Sequence, residues 1–473
     1  MTMIIHSVDM EKSADEDNAE VLIKEHFLGF VPLKETTGAF MTEIILQELE
    51  TMSLSVENLP GQGYNNGNNM KGKNNGVQRK MMEINPKAFF IPCSVHSLNL
   101  VVNDAASCCL EASSFFNVVQ RVYVFFSSGS MACWEILSHY VNSLTVKPLS
   151  QTRWESPTDA LKPLCYELGN IYDTLIEISD DTTFTGSSGN TARSDAEALA
   201  KGLSKFKFVT SLILWYNILF ESNLTSKQLQ EKNLNIHSAI QKLHQTKNIL
   251  EEFRSDEGFE RTLVDSLKLA EEIDFPTEFE PEPVRIRQKK QQYSYEGRNT
   301  PIQNPKQRFK VNCYFTVLDT AIHKVEESFQ QMQQLQSVFG FLHDIHSLQK
   351  KTAKQIKEFC IKLESALTHE NSKDIDATDL CSELQAFSRQ LKKHSTPEEV
   401  LKFVCENKLT DSFPNIFIAL HILLTLPVSV ASGERSFSKL KLIKTYLRST
   451  MVQERLVGLA TMSIEHEIAE NWI

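Results

Sequence analysis

The amino-acid sequence predicts an α-rich α/β protein, and three observations carry that expectation. Near the N-terminus, short runs of aromatic and β-branched residues alternate with stretches whose apolar residues recur at helical spacing. The middle of the chain holds long helical patterns with no convincing strand among them, and two amphipathic helical patterns close the C-terminus. Strands would supply a buried sheet and helices its cover. At 473 residues the chain is about three times a typical domain, so one large core with an insertion, or roughly two to three domains, is expected.

Taken in order, MTMIIHSVDM at the start reads as a strand and EHFLGFVPL, from Glu25 to Leu33, as a second; Asp9 to Glu20 is an acidic hairpin connection. Thr36 to Met52 is predicted helical, with Phe40, Ile44, Ile45 and Leu49 on one stripe, and the Gly- and Asn-containing run from Asn58 to Asn75 ends it. Ala88 to Pro92 reads as another strand that leads into a helix from about His96.

From about Cys165 to Asp411 the pattern is helical, as in Ile236, Ile240, Leu243 and Leu250. The most apolar run, Phe208 to Phe220, is interrupted by Thr210, Ser211 and Asn217 and is too short to cross a bilayer, so a buried helix is expected there. Ser179 to Ser194, rich in Ser, Thr, Gly and Asp, reads as a loop. A second break is electrostatic. Acids between Glu271 and Glu282 give way to Arg285, Arg287, Lys289, Lys290, Arg298, Lys306, Arg308 and Lys310, with Tyr293 and Tyr295 interleaved. Such a loop, over 284–310, is either a solvated segment neutralised by its acidic neighbour or a contact for DNA or RNA phosphate.

In the C-terminal stretch, Phe437, Leu440, Ile443 and Leu447 recur at helical spacing and make one apolar stripe for a core or a partner. Glu434 falls in the first turn. A second helix is expected after Thr450, capped by that hydroxyl with Gln453 three residues on, and running through Leu456, Leu459, Met462 and Ile464. Periodicity alone would fit any helical hairpin in a core.

Composition narrows the class of function. The balance of 49 Lys and Arg against 60 Asp and Glu, a net charge of -11, argues against general attraction to a phosphate backbone, so any nucleic-acid contact must be local. Nine cysteines without C-x-x-C pairs, and no basic segment followed by an apolar run at the start, fit a reduced nuclear or cytoplasmic compartment rather than secretion. Neither a membrane span nor a solenoid repeat is visible.

The block SGERSFSKLKLIKTYLRSTM, with Ser432, Glu434, Arg435, Phe437 and Ser438 in an S-x-E-R-x-F-S pattern, resembles the C-terminal dimerisation region of hAT-family transposases. It is most similar to the domesticated copies in MYM-type zinc-finger-like proteins. Three further blocks resemble the same family in the same order: GQGYNNGNNMKG at Gly61 to Gly72, FIPCSVHSLNL at Phe90 to Leu100, and Thr152, Arg153 and Trp154. The resemblance implies an RNase H-like fold interrupted by a large all-helical insertion and closed by C-terminal helices. Its parts would be 1–164, the first part of the core; 165–411, the insertion; and 412–473, the dimerisation region. It also implies that the core lacks its first strand, which would lie between the second strand and the one carrying Asn65, and that two sheet edges are left open. Those edges either pair directly or leave the domain prone to association.

RNase H-like transposases hold two divalent cations with three carboxylates. Magnesium and manganese need hard, charged oxygen ligands, and an amide lacks the charge. By resemblance the second aspartate falls at Asn65, the first lies on the absent strand, and only Glu434 remains. The expectation is therefore no transposase activity, no cofactor, and a lost divalent metal site, unless Asp104 or Glu83 substitutes. Cys93 and His96 could be half of a zinc site, though no second pair accompanies them; the resemblance gives them a role in supporting the fold. Trp154 is either a buried aromatic or a residue beside a nucleic-acid path, and Arg153 is equally open. What remains is association with itself or a related hAT-derived chain through Arg435, Phe437, Leu440, Ile443, Leu447, Leu456, Leu459 and Met462, with nuclear residence following from the resemblance. The alternatives are nucleic-acid binding through Arg285, Arg287, Lys289, Lys290 and Arg308, and residual metal-dependent nuclease activity.

Overall fold

Strands β1 (Thr2–Lys12) and β2 (Ala19–Phe30) form an antiparallel hairpin in a computed structural model that describes residues 1–12, 19–128, 131–141, 144–149, 156–231, 234–281, 304–370, 372–445, 450–466 and 470. The hairpin is longer than the sequence suggested, because β2 begins at Ala19 rather than Glu25: Val21, Leu22 and Ile23 pair with Met10, Asp9 and Val8, and the ladder hydrogen bonds outweigh the acidic composition of the connection. Met3 pairs with Gly29 and Ile4 with Phe27, so Leu28 is an extra residue in the ladder. This bulge lets Phe27 and Phe30 share one face, where alternation alone would send them to opposite faces. Gly29 in the bulge has φ +149°, a conformation other residues rarely adopt.

The helices follow as α1 (Gly38–Thr51), then strand β3 (Gly61–Tyr64), α2 (Asn68–Lys71), α3 (Val77–Ile84), strand β4 (Phe89–Pro92) and α4 (Ser94–Ser107). Among the described residues strand β3 pairs only with β4, in parallel from Gly61 opposite Phe89 to Tyr64 opposite Pro92, and α2 and α3 make the crossover. Gln62, buried on β3, donates through Nε2 to the Ala88 carbonyl at 2.9 Å, and Asn85 donates to the carbonyls of Val56 and Leu59. These bonds satisfy backbone that the short sheet leaves over.

Next come α5 (Leu110–Ser128), α6 (Met131–Tyr140), α7 (Ser156–Tyr166), α8 (Leu168–Asp180), α9 (Gly186–Leu203), α10 (Phe206–Gln228), α11 (Ile236–Phe253) and α12 (Asp256–Glu272). The apolar run from Phe208 to Phe220 lies within α10, where Trp215 is fully buried. Ser179 to Ser194 is not the loop its composition suggested. Only a short turn separates α8 from α9, and Arg193 donates to the Ser179 carbonyl across it at 2.9 Å. Burial of Ala196, Leu199, Ala200 and Leu203 overrides the weak helix propensity of the Gly- and Ser-rich start.

Among the described residues after α12 the strands are β5 (Thr368–His369) and β6 (Ser372–Lys373), a minimal hairpin inside the region expected to hold no strand. The helices there are α13 (Pro305–Phe309), α14 (Thr316–Phe339), α15 (Ala353–Ala366), α16 (Ala377–Phe387), α17 (Pro397–Glu406), α18 (Pro414–Thr425), α19 (Ala431–Ile443) and α20 (Gln453–Ile464). A π-helical turn, Lys310–Phe315, joins α13 to α14.

Two compact units result: one of Met1–Ser97, Gln228–Gln241 and Phe329–Ile473, the other of Leu98–Lys227 and Lys242–Ser328. Helices after Phe339 return to the first unit, where Lys87 pairs with Asp374 at 2.8 Å and α17 and α18 lie against the β1–β2 hairpin. Among the described residues no helix is long and apolar enough to cross a membrane.

Candidate association surface and remnant carboxylate site

The two C-terminal helices divide their apolar residues between the chain's own sheet and solvent. Leu440 and Ile443 on α19, with Val457, Ala460 and Ile464 on α20, pack on Phe27 and Phe30 of β2. Helix α20 is fixed further by polar bonds: the Glu465 carboxylate accepts from the Phe27 N–H at 2.6 Å, and Gln453 donates to the Phe30 carbonyl. Gln453 is thus spent on the sheet, Val452 occupies the cap position without a side-chain bond, and the capping role expected of Thr450 is not realised. Leu456 is buried and Leu459 half-buried.

The residues left outside are Phe437, 46% exposed with its ring 5.9 Å from that of Phe30, and Met462, 57% exposed. Leu442 at 71% and Val452 at 68% join them. Arg435 is exposed and donates to the Ser432 hydroxyl at 2.9 Å, which itself donates to Glu25. Leu447 lies outside the described residues. Sequence reasoning missed Leu442, which sits between Leu440 and Ile443 and off their stripe; the only signal for it was an apolar residue at a position the helical period assigns to solvent.

The remnant carboxylate lies one turn into α19. Burial pushes the half-buried Glu434 up to about 7. Nearby, the Cys93 sulfur accepts from the Val430 N–H at 3.4 Å, and the Ser94 hydroxyl donates to the Val428 carbonyl at 2.7 Å, so the start of α4 is fastened to the segment that leads into α19. Burial pushes the Cys93 thiol up to about 11, which makes it a poor thiolate ligand. His96 is lowered by burial first and then by Lys71.

Asn65 is exposed after β3, its side-chain oxygen accepting from the Gly67 N–H at 3.3 Å in a local turn, and Asn66 donates to the Ser97 hydroxyl at 2.7 Å. A divalent pair needs several charged oxygens. At the two positions Asn65 offers a neutral amide and Glu434 a single carboxyl. Of the residues weighed as substitutes, Glu83 pairs with Arg79 at 2.9 Å, and Asp104, in the second unit, pairs with Lys324 at 3.7 Å.

Arg285, Arg287, Lys289 and Lys290, like Arg153 and Trp154, lie outside the described residues. On the described flank of the basic loop, Arg308 is half-buried on α13, Lys306 pairs with Glu260 at 3.1 Å, and Lys310 pairs with Asp256 at 2.8 Å while lying over the Phe259 and Phe315 rings. Acids of α12 thus neutralise these two lysines within the chain.

Residues 377–468 match the hAT family C-terminal dimerisation region, and residues 17–76 match the ZMYM1/FAM200, RNase-like domain. The first match covers α16 to α20, and the second runs from β2 through α2 to the residue that caps α3. Over 491 residues the chain is 22% identical to the Homo sapiens protein named 52 kDa repressor of the inhibitor of the protein kinase. It is also 22% identical over 494 residues to the Mus musculus protein of that name. Each alignment covers 97% of this chain, and the chain spans 61% of the length of each relative.

Proposed function

We propose that this chain, which carries a hAT dimerisation region and a segment of the ZMYM1/FAM200 RNase-like type, is a catalytically inactive transposon-derived protein. It acts by associating, through α19 and α20, with a second copy or a related hAT-derived chain. The observation that carries the reading is that Phe437, Leu442 and Met462 stay exposed on helices that lie inside the matched dimerisation region. Large apolar side chains held in water by helices already anchored to a sheet lose little further entropy on pairing.

In this reading the first unit is an RNase H-like core into which helices are inserted. Inactivity is supported by the amide at Asn65, which lacks the charge a divalent cation requires. Nuclear residence is part of the reading and is supported by the relatives' description as repressors. The test is the absolute mass of the purified chain by light scattering across a concentration series. The expected result is a discrete species of twice the 53.9 kDa chain mass; a monomer at high micromolar concentration sinks the proposal.

A further inference from the structure

Three of the nine cysteines meet in the second unit. Cys108 and Cys109 form the turn between α4 and α5, and Cys313 lies in the π-helical turn that joins α13 to α14. The Cys109 sulfur accepts hydrogen bonds from the Cys313 thiol, from the Ala112 N–H and from the Cys108 thiol, and Cys108 in turn accepts from the Thr320 hydroxyl. One sulfur therefore has two others within hydrogen-bond reach. Single π-helical turns recur at functional sites, and this one presents Cys313 to the junction of α4 and α5.

The three thiols are not equivalent. Cys313 is 1% exposed, whereas Cys108 and Cys109 are half-buried and stand beside Leu110, which is 78% exposed. Cys109 also occupies the cap position of α5, because its carbonyl accepts the first helical bond, from the Ser113 N–H at 3.1 Å. A negative charge there faces the positive end of a 19-residue helix. Glu111 opposes that charge, but is itself paired with Lys207 at 3.8 Å. The Cys313 bond first, and then the helix and the Cys108 thiol, favour the Cys109 thiolate and lower it to about 6. Its two donors move the other way, Cys108 to about 11 by burial and Cys313 upward by the bond it gives to Cys109. A wholly buried thiol is inert, whereas a thiolate that water reaches, with a second thiol against it, is placed to react with a small oxidant.

We infer that Cys109 and Cys313 are a peroxide-reactive pair, in which Cys109 attacks the peroxide and Cys313 resolves the product into a disulfide. The Cys109 thiolate displaces hydroxide from hydrogen peroxide and becomes a sulfenic acid. The Cys313 sulfur then attacks the Cys109 sulfur, its proton leaves with the sulfenyl hydroxyl as water, and an S–S bond forms. Each sulfur gives up one electron, and the peroxide is reduced to hydroxide and water. Cys313 is the resolving thiol rather than Cys108, because a bond between neighbouring cysteines closes a small ring that strains the planar trans peptide between them. A reversible bond of this kind is what intracellular disulfides in a reduced compartment serve, as transient sensors of oxidant. The site lies in the second unit and does not rest on helix pairing through α19 and α20.

The test treats the full, reduced chain with equimolar hydrogen peroxide at neutral pH, caps the remaining thiols with N-ethylmaleimide and maps the peptides without reduction. The expected product is a cross-link between Cys109 and Cys313 of the same chain, reversed by dithiothreitol, with Cys109 oxidised roughly tenfold or more faster than Cys108. Cys313→Ser should lose the cross-link and hold Cys109 as a sulfenic acid that dimedone captures, while Cys108→Ser should keep the cross-link. A bond between Cys108 and Cys109, a cross-link between two chains, or sulfinic acid on Cys109 without any cross-link would overturn the inference. So would oxidation of the other cysteines ahead of Cys109. The map of the unaltered chain decides by itself if Cys313→Ser does not fold, because it reads both the reacting sulfur and its partner.

Discussion

The backbone N–H of Val430 donates to the Cys93 sulfur at 3.4 Å, and so joins the start of α4 to the segment entering α19 across most of the sequence. The adjacent Ser94 hydroxyl completes the fastening by donating to the buried carbonyl of Val428. Replacing Ser94 with Ala removes the hydroxyl donor and leaves the Val428 carbonyl with the Ser94 N–H alone, at 3.3 Å, which costs about 0.5–1.5 kcal/mol. A urea melt should show the midpoint lowered by that amount. His96→Ala, which touches neither bond, should cost less.

Glu434 makes stability depend on pH in an unusual direction for a carboxyl. Its folded value is raised to about 7 by burial, so between the ordinary carboxylate range and neutrality the folded chain holds a proton that the unfolded chain releases. Stability is full below the unfolded value and falls as pH rises through the folded one. Because the side chain is only half-buried, the loss is discounted to roughly 1–2 kcal/mol between pH 5 and 8. Glu434→Gln should be free of this loss, so the variant gains on the native chain as pH rises; parallel pH profiles for the two would contradict the assignment.

His343 works in the opposite sense. Burial first, and then the stacked His237 ring 4.9 Å away, lower it to about 4, so the folded chain keeps it neutral while the unfolded chain takes a proton below about 6.5. Stability conferred above that value is lost as pH falls through the window between them. The expected loss is about 2 kcal/mol between pH 7 and 5, measured by urea melts. His343→Leu should flatten the profile over that range.

In the second unit, Cys109 accepts a hydrogen bond from Cys313, which is the first reason that its thiol is lowered to about 6. Cys108 beside it is raised to about 11 by burial. Brief alkylation with iodoacetamide at pH 7, followed by peptide mapping, should mark Cys109 before Cys108 or the buried Cys360. Cys313→Ala should slow the labelling of Cys109. Unchanged labelling would mean that the sulfur contact does not control its reactivity.

The strands and the helical spacing in the first hundred residues were legible because apolar residues mark them, as with Phe90 and Ile91, buried on the two faces of β4, or Met41, Ile45 and Leu49 on one stripe of α1. The bulge at Leu28 was not, because it depends on register with β1 and no local pattern marks it. Ser179 to Ser194 misled because composition reports the propensity of the turn, whereas Leu199 and Leu203 decide the helix by packing further along. In the C-terminal region the period located the stripe of Leu440 and Ile443 correctly, but it could not say that β2 would occupy that stripe and leave Phe437 and Met462 outside. Which apolar face remains open is a property of tertiary packing.

The most direct test of association through α19 and α20 is sedimentation equilibrium of the native chain beside Leu442→Glu and Met462→Glu. Both side chains are mostly in water, so the charge should leave the urea midpoint within about 0.5 kcal/mol of native stability. The account predicts a dimer for the native chain and dissociation of each variant, weakened roughly tenfold or more, with unfolding unchanged. Variants that sediment with the native mass at every concentration would contradict it, and so would a native chain that is monomeric throughout.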